Sequence, residues 1–371
     1  MCRNTSQAPL VLLLLVAVVA FTACTSDTTD PGPVTPATYD STGFGSATQA
    51  EFEIRSNMAS LVALMKTARQ PGVRLSQSEI ASRLAPLSGF IPQSFTEKLA
   101  TYSAELADAS GGTLNWLSRP GMNANGGTYG GYLFSEHGLE MEQMIDKGLY
   151  GAMFYTHARS LVASAVTKEN VHRMLALFGA NPDFPNTDRA QVRPDVFAAA
   201  YCARRDQNDG RGMYSQIRRE FIRAQTAISE SKSAEARLAV EAAFRLWERA
   251  IMATVINYTY TVVTELSATN PSDSSRGLAM HAYGECIGFL TGWRFVNAAD
   301  RTITTAQIDE LLSLLKAPLN GPWTCYDIWQ QPQVNLTRVV NARETLQSIY
   351  SFSDEEMISF KSNWVNVQGR R

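Results

Sequence analysis

The sequence has few of the residues and motifs from which common active sites are built. Among its 371 residues are only five cysteines and four histidines, and its formal net charge is −2. Lysine and arginine form no sustained stripe, which argues against nucleic acid as a partner. The motifs HExxH and GxSxG are missing, as is any cysteine–histidine pattern of a thiol protease, so a metallopeptidase is the least supported function. We therefore predict a protein that is not an enzyme.

The cysteines are too few and too scattered for a disulfide framework or a zinc motif. Apart from Cys2 and Cys24 near the N-terminus, there are only Cys202, Cys286 and Cys325. An odd, widely spaced set without a CxxC pair predicts buried thiols, and a single bridge is the alternative.

An apolar run from Pro9 to Phe21 is too short to cross a bilayer. At about 13 residues it matches the apolar core of a signal peptide. It leads into Phe21-Thr22-Ala23-Cys24, which resembles a bacterial lipobox. Residues 1–23 are thus predicted to be a lipoprotein signal peptide, with Cys24 carrying palmitate and other acyl chains that anchor the protein to the membrane. The alternative is an ordinary signal peptide cleaved after Ala23.

Residues 24–45 are rich in Thr, Ser, Pro, Gly and Asp, a composition typical of a flexible, disordered tether. From residue 46 to 366 many stretches follow a 3.6-residue period and none alternates with period two, which predicts an all-α domain. Capping-box patterns begin at Ser76, Ser94 and Ser353. The predicted helices are 48–68, 76–85, 94–109, 136–165, 168–179, 193–205, 212–231, 233–268, 273–296, 304–316, 334–350 and 353–363.

Two of these helices combine a histidine and a glutamate with interior glycines. When the sequence is projected at 100° per residue, His137 shares a face with Gly148 and Gly151, and Glu140 lies at its edge. In the second helix, His281 and Glu285 share a face with three glycines, at positions 284, 288 and 292. Each interior glycine costs about 1 kcal/mol relative to alanine. We therefore predict that both faces make close contacts, and one candidate partner for each face is the other.

If the two faces meet, His137, Glu140, His281 and Glu285 converge. Two imidazoles and two carboxylates are ligand types for iron, zinc or manganese, so the convergence predicts a metal or ligand site. The alternative is that each histidine is an ordinary core residue and that the glutamates serve the helix dipole. Glu248 starts another apolar helix face and either pairs with neighbouring arginines or joins the site.

A glycine-rich loop over residues 109–134 supports a different function. It carries Trp116, Tyr129 and Tyr132, whose rings could stack on a glycan or peptide ligand. Tyr129 and Tyr132 are also candidates for the metal or ligand site, because the loop leads directly into the segment that contains His137.

Four segments resemble the recurring blocks of an uncharacterised family of bacterial lipoproteins, domain of unknown function 4856. They are "GLEMEQMIDKGLYGAMFYTHA", "ALFGANPDFP", "LWERAIMATVINY" and "HAYGECIGFLTGWRF". That family is similar to the imelysin-like proteins, which have two packed helical bundles and a His-x-x-Glu motif. His137-Gly-Leu-Glu140 matches this motif, and His281-x-x-x-Glu285 is its counterpart if the second half repeats the first.

The resemblance implies an imelysin-like double helical bundle with a division near residues 190–230. It also implies a role in bacterial iron or haem uptake, with iron or haem as the bound group, and the ligand types add zinc as a further candidate. Expected partners are an outer-membrane uptake receptor and an imelysin-like protein, and the expected location is the bacterial outer membrane. The glycan- or peptide-binding surface lipoprotein remains the alternative.

Overall fold

The computed structural model describes residues 36–122, 125–163, 165–190 and 192–370, which belong to one compact unit spanning Thr35–Arg371. The predicted signal peptide, Cys24 and residues 24–35 of the predicted tether lie outside the described residues. The described chain is mostly helical with a single two-stranded sheet, which confirms the all-α fold class. The predicted division into two bundles near residues 190–230 stays a prediction.

Most of the helices lie close to their predicted positions, since the apolar period that indicates a helix is a local property. The α-helices, numbered α1 to α16 in chain order, are Phe44–Ala47, Gln49–Thr67, Gln77–Leu84, Gln93–Ala109, Met141–Leu149, Thr156–Ala163, Lys168–Phe178, Phe197–Arg205, Met213–Ser229, Ser233–Leu266, Asp273–Arg294, Thr305–Leu314, Tyr326–Gln330, Pro332–Tyr350, Asp354–Ser359 and Trp364–Val367.

Capping boxes begin two of the three helices for which the sequence predicts one, and also the predicted helix 304–316. Ser76 and Ser353 each accept a hydrogen bond from the backbone three residues on, and a glutamate side chain closes the box at both positions. Thr304 forms a third box with Gln307 at the start of α12. The predicted box at Ser94 is wrong, because α4 already begins at Gln93 and has no side-chain cap.

The loop predicted over residues 109–134 contains a β-hairpin that the sequence did not reveal. Strand β1, Gly126–Tyr129, pairs antiparallel with β2, Tyr132–Ser135, across a two-residue turn. Four-residue strands with four glycines in and between them are too short and too glycine-rich to show a clear period-two pattern. The hairpin leads the chain towards the start of α5.

Helix α10 lies at the centre of the fold, as its apolar second half predicts. It packs against α8, α9, α11 and α14. Its Phe244 and Trp247 are fully buried with their rings stacked, at a centroid distance of 6.1 Å. None of the helices in the described part of the chain combines the length and apolarity needed to span a bilayer.

Residues 36–45 are ordered against the core, so the prediction of a tether that extends to residue 45 is wrong over this segment. Tyr39 and Phe44 are buried, and the Tyr39 hydroxyl lies 2.6 Å from Nδ1 of His172. The Asp40 backbone exchanges two hydrogen bonds with the side chain of Gln225. Two aromatic side chains thus anchor a segment whose average composition is polar.

Candidate functional site

Helices α5 and α11 touch backbone to backbone, which confirms that the two glycine-bearing faces meet each other. A Cβ atom added to Gly151 would stand 2.7 Å from the Gly292 carbonyl carbon. One added to Gly292 or Gly288 would stand less than 3.0 Å from a carbonyl oxygen of α5. Only glycine therefore permits this approach, and the helix propensity lost at these positions is offset by close packing.

The predicted helix 136–165 differs from the structure in two places, at its start and after Leu149. Helix α5 begins only at Met141, because Gly138 adopts φ of 74° in a turn that precedes it. After Leu149 the chain forms a π-helical turn, Tyr150–Tyr155, before α6. The helical projection therefore holds for Gly151, which faces α11, whereas a Cβ on Gly148 would meet Phe95 of α4. It fails for His137, which is not in the helix.

Glu140, His281 and Glu285 lie in a row between α5 and α11. Oε2 of Glu140 is 2.6 Å from Nδ1 of His281. On the other side of the ring, Nε2 of His281 faces Oε2 of Glu285 at 3.7 Å. Both carboxylates are buried, whereas the imidazole keeps 18% of its side-chain surface exposed. Three of the four residues predicted to converge are thus brought together.

Arg69, which follows the end of α2, binds the outer side of this row. Its Nη2 donates to Glu140 at 2.8 Å, and its Nε donates to Glu142 at 2.6 Å. Burial, together with the neighbouring Glu140, raises the pKa of Glu142 to about 7. Arg69 holds the Glu140 carboxylate in place while that carboxylate contacts His281.

Lys147 binds the inner side of the row. Its Nζ lies 2.6 Å from Oδ2 of Asp146 and 3.3 Å from Oε1 of Glu285. The hydroxyl of Tyr201 donates to the same glutamate oxygen at 3.3 Å. Lys147 also lies over the Tyr201 ring, 5.2 Å from its centroid. The buried charge of Glu285 is therefore compensated by an ammonium group and a phenol.

The partners of His281 and Glu285 stabilise the charged form of both side chains. Burial alone would lower the pKa of His281, but the carboxylate of Glu140 outweighs burial and raises it. Burial alone would raise the pKa of Glu285, but Lys147 and His281 outweigh burial and lower it. The row therefore favours alternating charges along its length.

His137 does not join this row, which corrects the predicted four-residue convergence. Its ring meets Trp323 edge-on at 5.8 Å between centroids, and its Nε2 lies 3.6 Å from Oε1 of Glu136. Burial lowers the pKa of His137. Within the described chain no hydrogen bond, ion pair or ring contact joins it to Glu140, His281 or Glu285.

Glu248 serves the fold and lies apart from the site. Its carboxylate accepts hydrogen bonds from the backbone N–H groups of Thr302 and Ile303 and from the Tyr350 hydroxyl. The predicted ion pair with arginines of its own helix is also wrong, since Arg249 pairs with Glu356 instead.

The aromatic residues of the 109–134 loop are engaged by other side chains of the protein. Tyr132 stacks on the His281 ring with centroids 4.3 Å apart. This predicted site residue therefore contacts the row of Glu140, His281 and Glu285. The Tyr129 hydroxyl donates to Asp273 at 2.7 Å, and Trp116 lies under the Arg276 guanidinium. A glycan that stacks on these rings would have to displace those contacts.

Cys202, Cys286 and Cys325 are free and buried, as predicted. Across the described ranges of the chain, no group of three or more His, Cys, Asp or Glu side chains is arranged to hold a metal ion. Any metal at His281 and Glu285 would therefore have two protein ligands, with other ligands supplied from elsewhere.

The sequence did not point to Arg69, Glu142 or Asp146 as site residues. Arg69 lies 71 positions before Glu140, and no local pattern predicts so distant a pair. The pattern within α5 indicates the opposite, because Glu142, Gln143, Asp146 and Lys147 lie on one side of the helix and its apolar residues on the other, which is typical of a helix with a solvent-exposed polar face. All nine residues of α5 are buried, so each of these polar groups needed a partner.

Comparison with protein families, with curated proteins and with solved structures finds no match for this chain.

Proposed function

We propose that this chain is a lipid-anchored, non-enzymatic protein of the bacterial envelope that binds a metal at His281 and Glu285 and serves the uptake of iron or another metal. The observation that carries the proposal is the arrangement of His281, with one ring nitrogen held by Glu140 and the other facing Glu285.

The contact with Glu140 orients the imidazole as a metal ligand. Metal-binding histidines commonly donate their second N–H to a carboxylate, which fixes the ring and its tautomer. With Nδ1 bound to Glu140, Nε2 is the nitrogen left to bind a metal. Its distance of 3.7 Å from Oε2 of Glu285 exceeds a hydrogen bond, and a cation bound at about 2.0–2.2 Å from each atom spans such a gap.

A site with two protein ligands suits cargo better than a permanent structural metal. Structural metal sites are closed by four protein ligands, whereas here the remaining positions would be filled by water or by a chelating group that arrives with the metal. Haem is one such form, because its iron accepts a single histidine as axial ligand. The predicted lipid anchor and the family resemblance support a place beside an outer-membrane receptor and an imelysin-like protein.

The test is titration of the purified protein with Fe²⁺, Zn²⁺, Mn²⁺ and haem at about pH 8, where a metal replaces a ring proton most easily. We expect one of these to bind, His281→Ala to abolish binding, and Glu140→Gln to weaken it by about ten- to a hundredfold. The ion and haem arms separate the two forms of cargo.

Two histidine variants serve as controls. His157→Ala removes another partly buried imidazole that lies 3.6 Å from a carboxylate, that of Glu51, and should leave binding unchanged. His137→Ala should also leave it unchanged, because its ring contacts Trp323. A wild-type protein that binds none of the four, or binds them as tightly without His281, would show that the row is only an ion-pair network.

A further inference from the structure

A second cavity, away from the row of Glu140, His281 and Glu285, has features of a small-molecule site. It lies between the N-terminal segment, α2 and the loop that joins α7 to α8, and its volume is about 450 Å³. Binding pockets for small molecules commonly have about 300–1,000 Å³. The residues that line it include Phe44, Phe52, Arg55, Asp183 and Arg193.

Arg55 brings a half-buried guanidinium to this cavity with few protein acceptors. Within the described residues its one hydrogen bond is a long one, from Nη1 to the Ala176 carbonyl oxygen at 3.4 Å, and it forms no ion pair. A guanidinium has five N–H donors. The nearby Asp195 attracts Arg55 by its charge but, among the described residues, forms no hydrogen bond or ion pair with it; its oxygens accept from Asn181, Thr187 and Tyr214.

Aromatic rings hold the Arg55 side chain in place. Its guanidinium carbon lies 4.5 Å from the centroid of Phe52 and 5.9 Å from that of Phe197. Phe197 adopts φ of 49°, a conformation that is rare for a bulky residue. Phe52 is 44% exposed although large and apolar, and it meets Phe44 edge-on at 6.2 Å. The cavity therefore joins an apolar wall to a positioned cation.

The remaining charges at the cavity neutralise each other. Arg193 and Asp183 are both exposed and lie 3.8 Å apart. Arg55 is then the charge at the cavity that no lining carboxylate pairs with. Burial lowers its pKa to about 10, although the negative charge of Asp195, which does not line the cavity, acts in the opposite direction. An arginine in such a setting is stabilised by a carboxylate, which its planar donors bind in bidentate fashion.

We propose that this cavity binds a small apolar monocarboxylate, with its carboxylate on Arg55 and its apolar body against Phe44 and Phe52. This site is independent of the proposed metal site, because Glu140, His281 and Glu285 do not line it.

Calorimetric titration of the full chain in non-ionic detergent with 3-phenylpropanoate tests the proposal, with the neutral 3-phenylpropan-1-ol as the matched ligand. We expect the carboxylate to bind and the alcohol to bind at least about tenfold more weakly, since a hydrogen-bonded charge is lost. Arg55→Met should weaken binding of the carboxylate by a similar factor. Arg219→Met removes an exposed arginine that is also bonded to a carbonyl oxygen, and should change nothing.

Gly45→Phe tests the same cavity without removing the cation. Gly45 lines the cavity, and a Cβ at this position would meet no atom within 4 Å, so a large side chain can enter without a backbone clash. We expect this variant to prevent binding of the carboxylate. It tests the cavity even if Arg55→Met does not fold. Absence of carboxylate binding to wild type, equal affinity for the alcohol, or full binding by Gly45→Phe would each overturn the proposal.

Discussion

Histidine side chains in this protein illustrate how contacts within a few ångströms decide charge. His281 is held against the Glu140 carboxylate, which raises its pKa. His137 and His172 face aromatic rings, and burial lowers the pKa of both. Of these three imidazoles, His281 is the one whose surroundings favour a positive charge, whether that charge is a proton or a metal ion on Nε2.

Glu248 gives a prediction at the scale of the single residue. Glu248→Ala leaves two backbone N–H groups, those of Thr302 and Ile303, and the Tyr350 hydroxyl without their acceptor in a buried place. Each unpaired buried donor costs about 1–3 kcal/mol, so we expect the free energy of unfolding to fall by about 3 kcal/mol or more. Urea denaturation followed by circular dichroism measures this loss.

The control for Glu248 is Glu241→Ala on the same helix. Glu241 is partly exposed and pairs with Arg159, which keeps a second partner in Asp300. Partly exposed pairs contribute at most about 1 kcal/mol. Equal losses in the two variants would mean that Glu248 is not the anchor of the 302–303 turn.

At the scale of the element, the contact between α5 and α11 depends on missing side chains. Gly292→Ala places a methyl group against the Gly148 carbonyl, and a backbone atom cannot move aside as a flexible side chain can. Overpacking costs about 1–3 kcal/mol and better helix propensity returns about 1 kcal/mol. Because the added methyl group would stand only 2.2 Å from a backbone oxygen, we take the upper end of the overpacking cost and expect a net loss of about 2 kcal/mol in the free energy of unfolding, measured by urea denaturation.

Gly45→Ala is the matched control for Gly292→Ala. Gly45 is also in a helix, and its added methyl group would meet no atom within 4 Å. Its unfolding free energy should therefore stay within about 0.5 kcal/mol of wild type or rise slightly. If Gly292→Ala behaves in the same way, the close approach of the two helices does not require glycine.

Element positions were predictable where the cause is local and were missed where it is not. The starts of α3 and α15 follow from the capping boxes at Ser76 and Ser353, which are visible in the sequence. The start of α5 does not, because the helical period continues across Gly138 while the backbone there turns. That single turn removed His137 from the predicted site and left Glu140 in it.

At the scale of the whole molecule, the all-α class and the meeting of the glycine faces could be predicted, but most partners of the site could not. Periodicity reveals which face of a helix is buried, not which distant residue covers it. Arg69 reaches Glu140 across 71 positions, and Tyr201 reaches Glu285 across 84. Such pairs depend on tertiary packing, for which one sequence carries no local sign.

The N-terminal boundary of the fold gives the last prediction. Composition predicts that the folded domain starts at residue 46, whereas Tyr39 and Phe44 are buried in the structure. Burial of one aromatic side chain contributes about 1.5–3 kcal/mol, and removal of Tyr39 also leaves His172 without its hydroxyl partner. Since two such side chains are lost, we expect a chain that begins at residue 46 to be less stable by about 3–6 kcal/mol than one that begins at residue 36.

Parallel urea denaturation of the two chains tests this boundary, with Tyr39→Phe in the longer chain as the control. That variant removes only the hydroxyl that contacts His172 and should cost about 1 kcal/mol. If the shorter chain is as stable as the longer one, residues 36–45 do not contribute to the core, and the boundary drawn from composition is right. A loss near that of Tyr39→Phe alone would instead assign the stabilisation to the hydrogen bond and not to the buried rings.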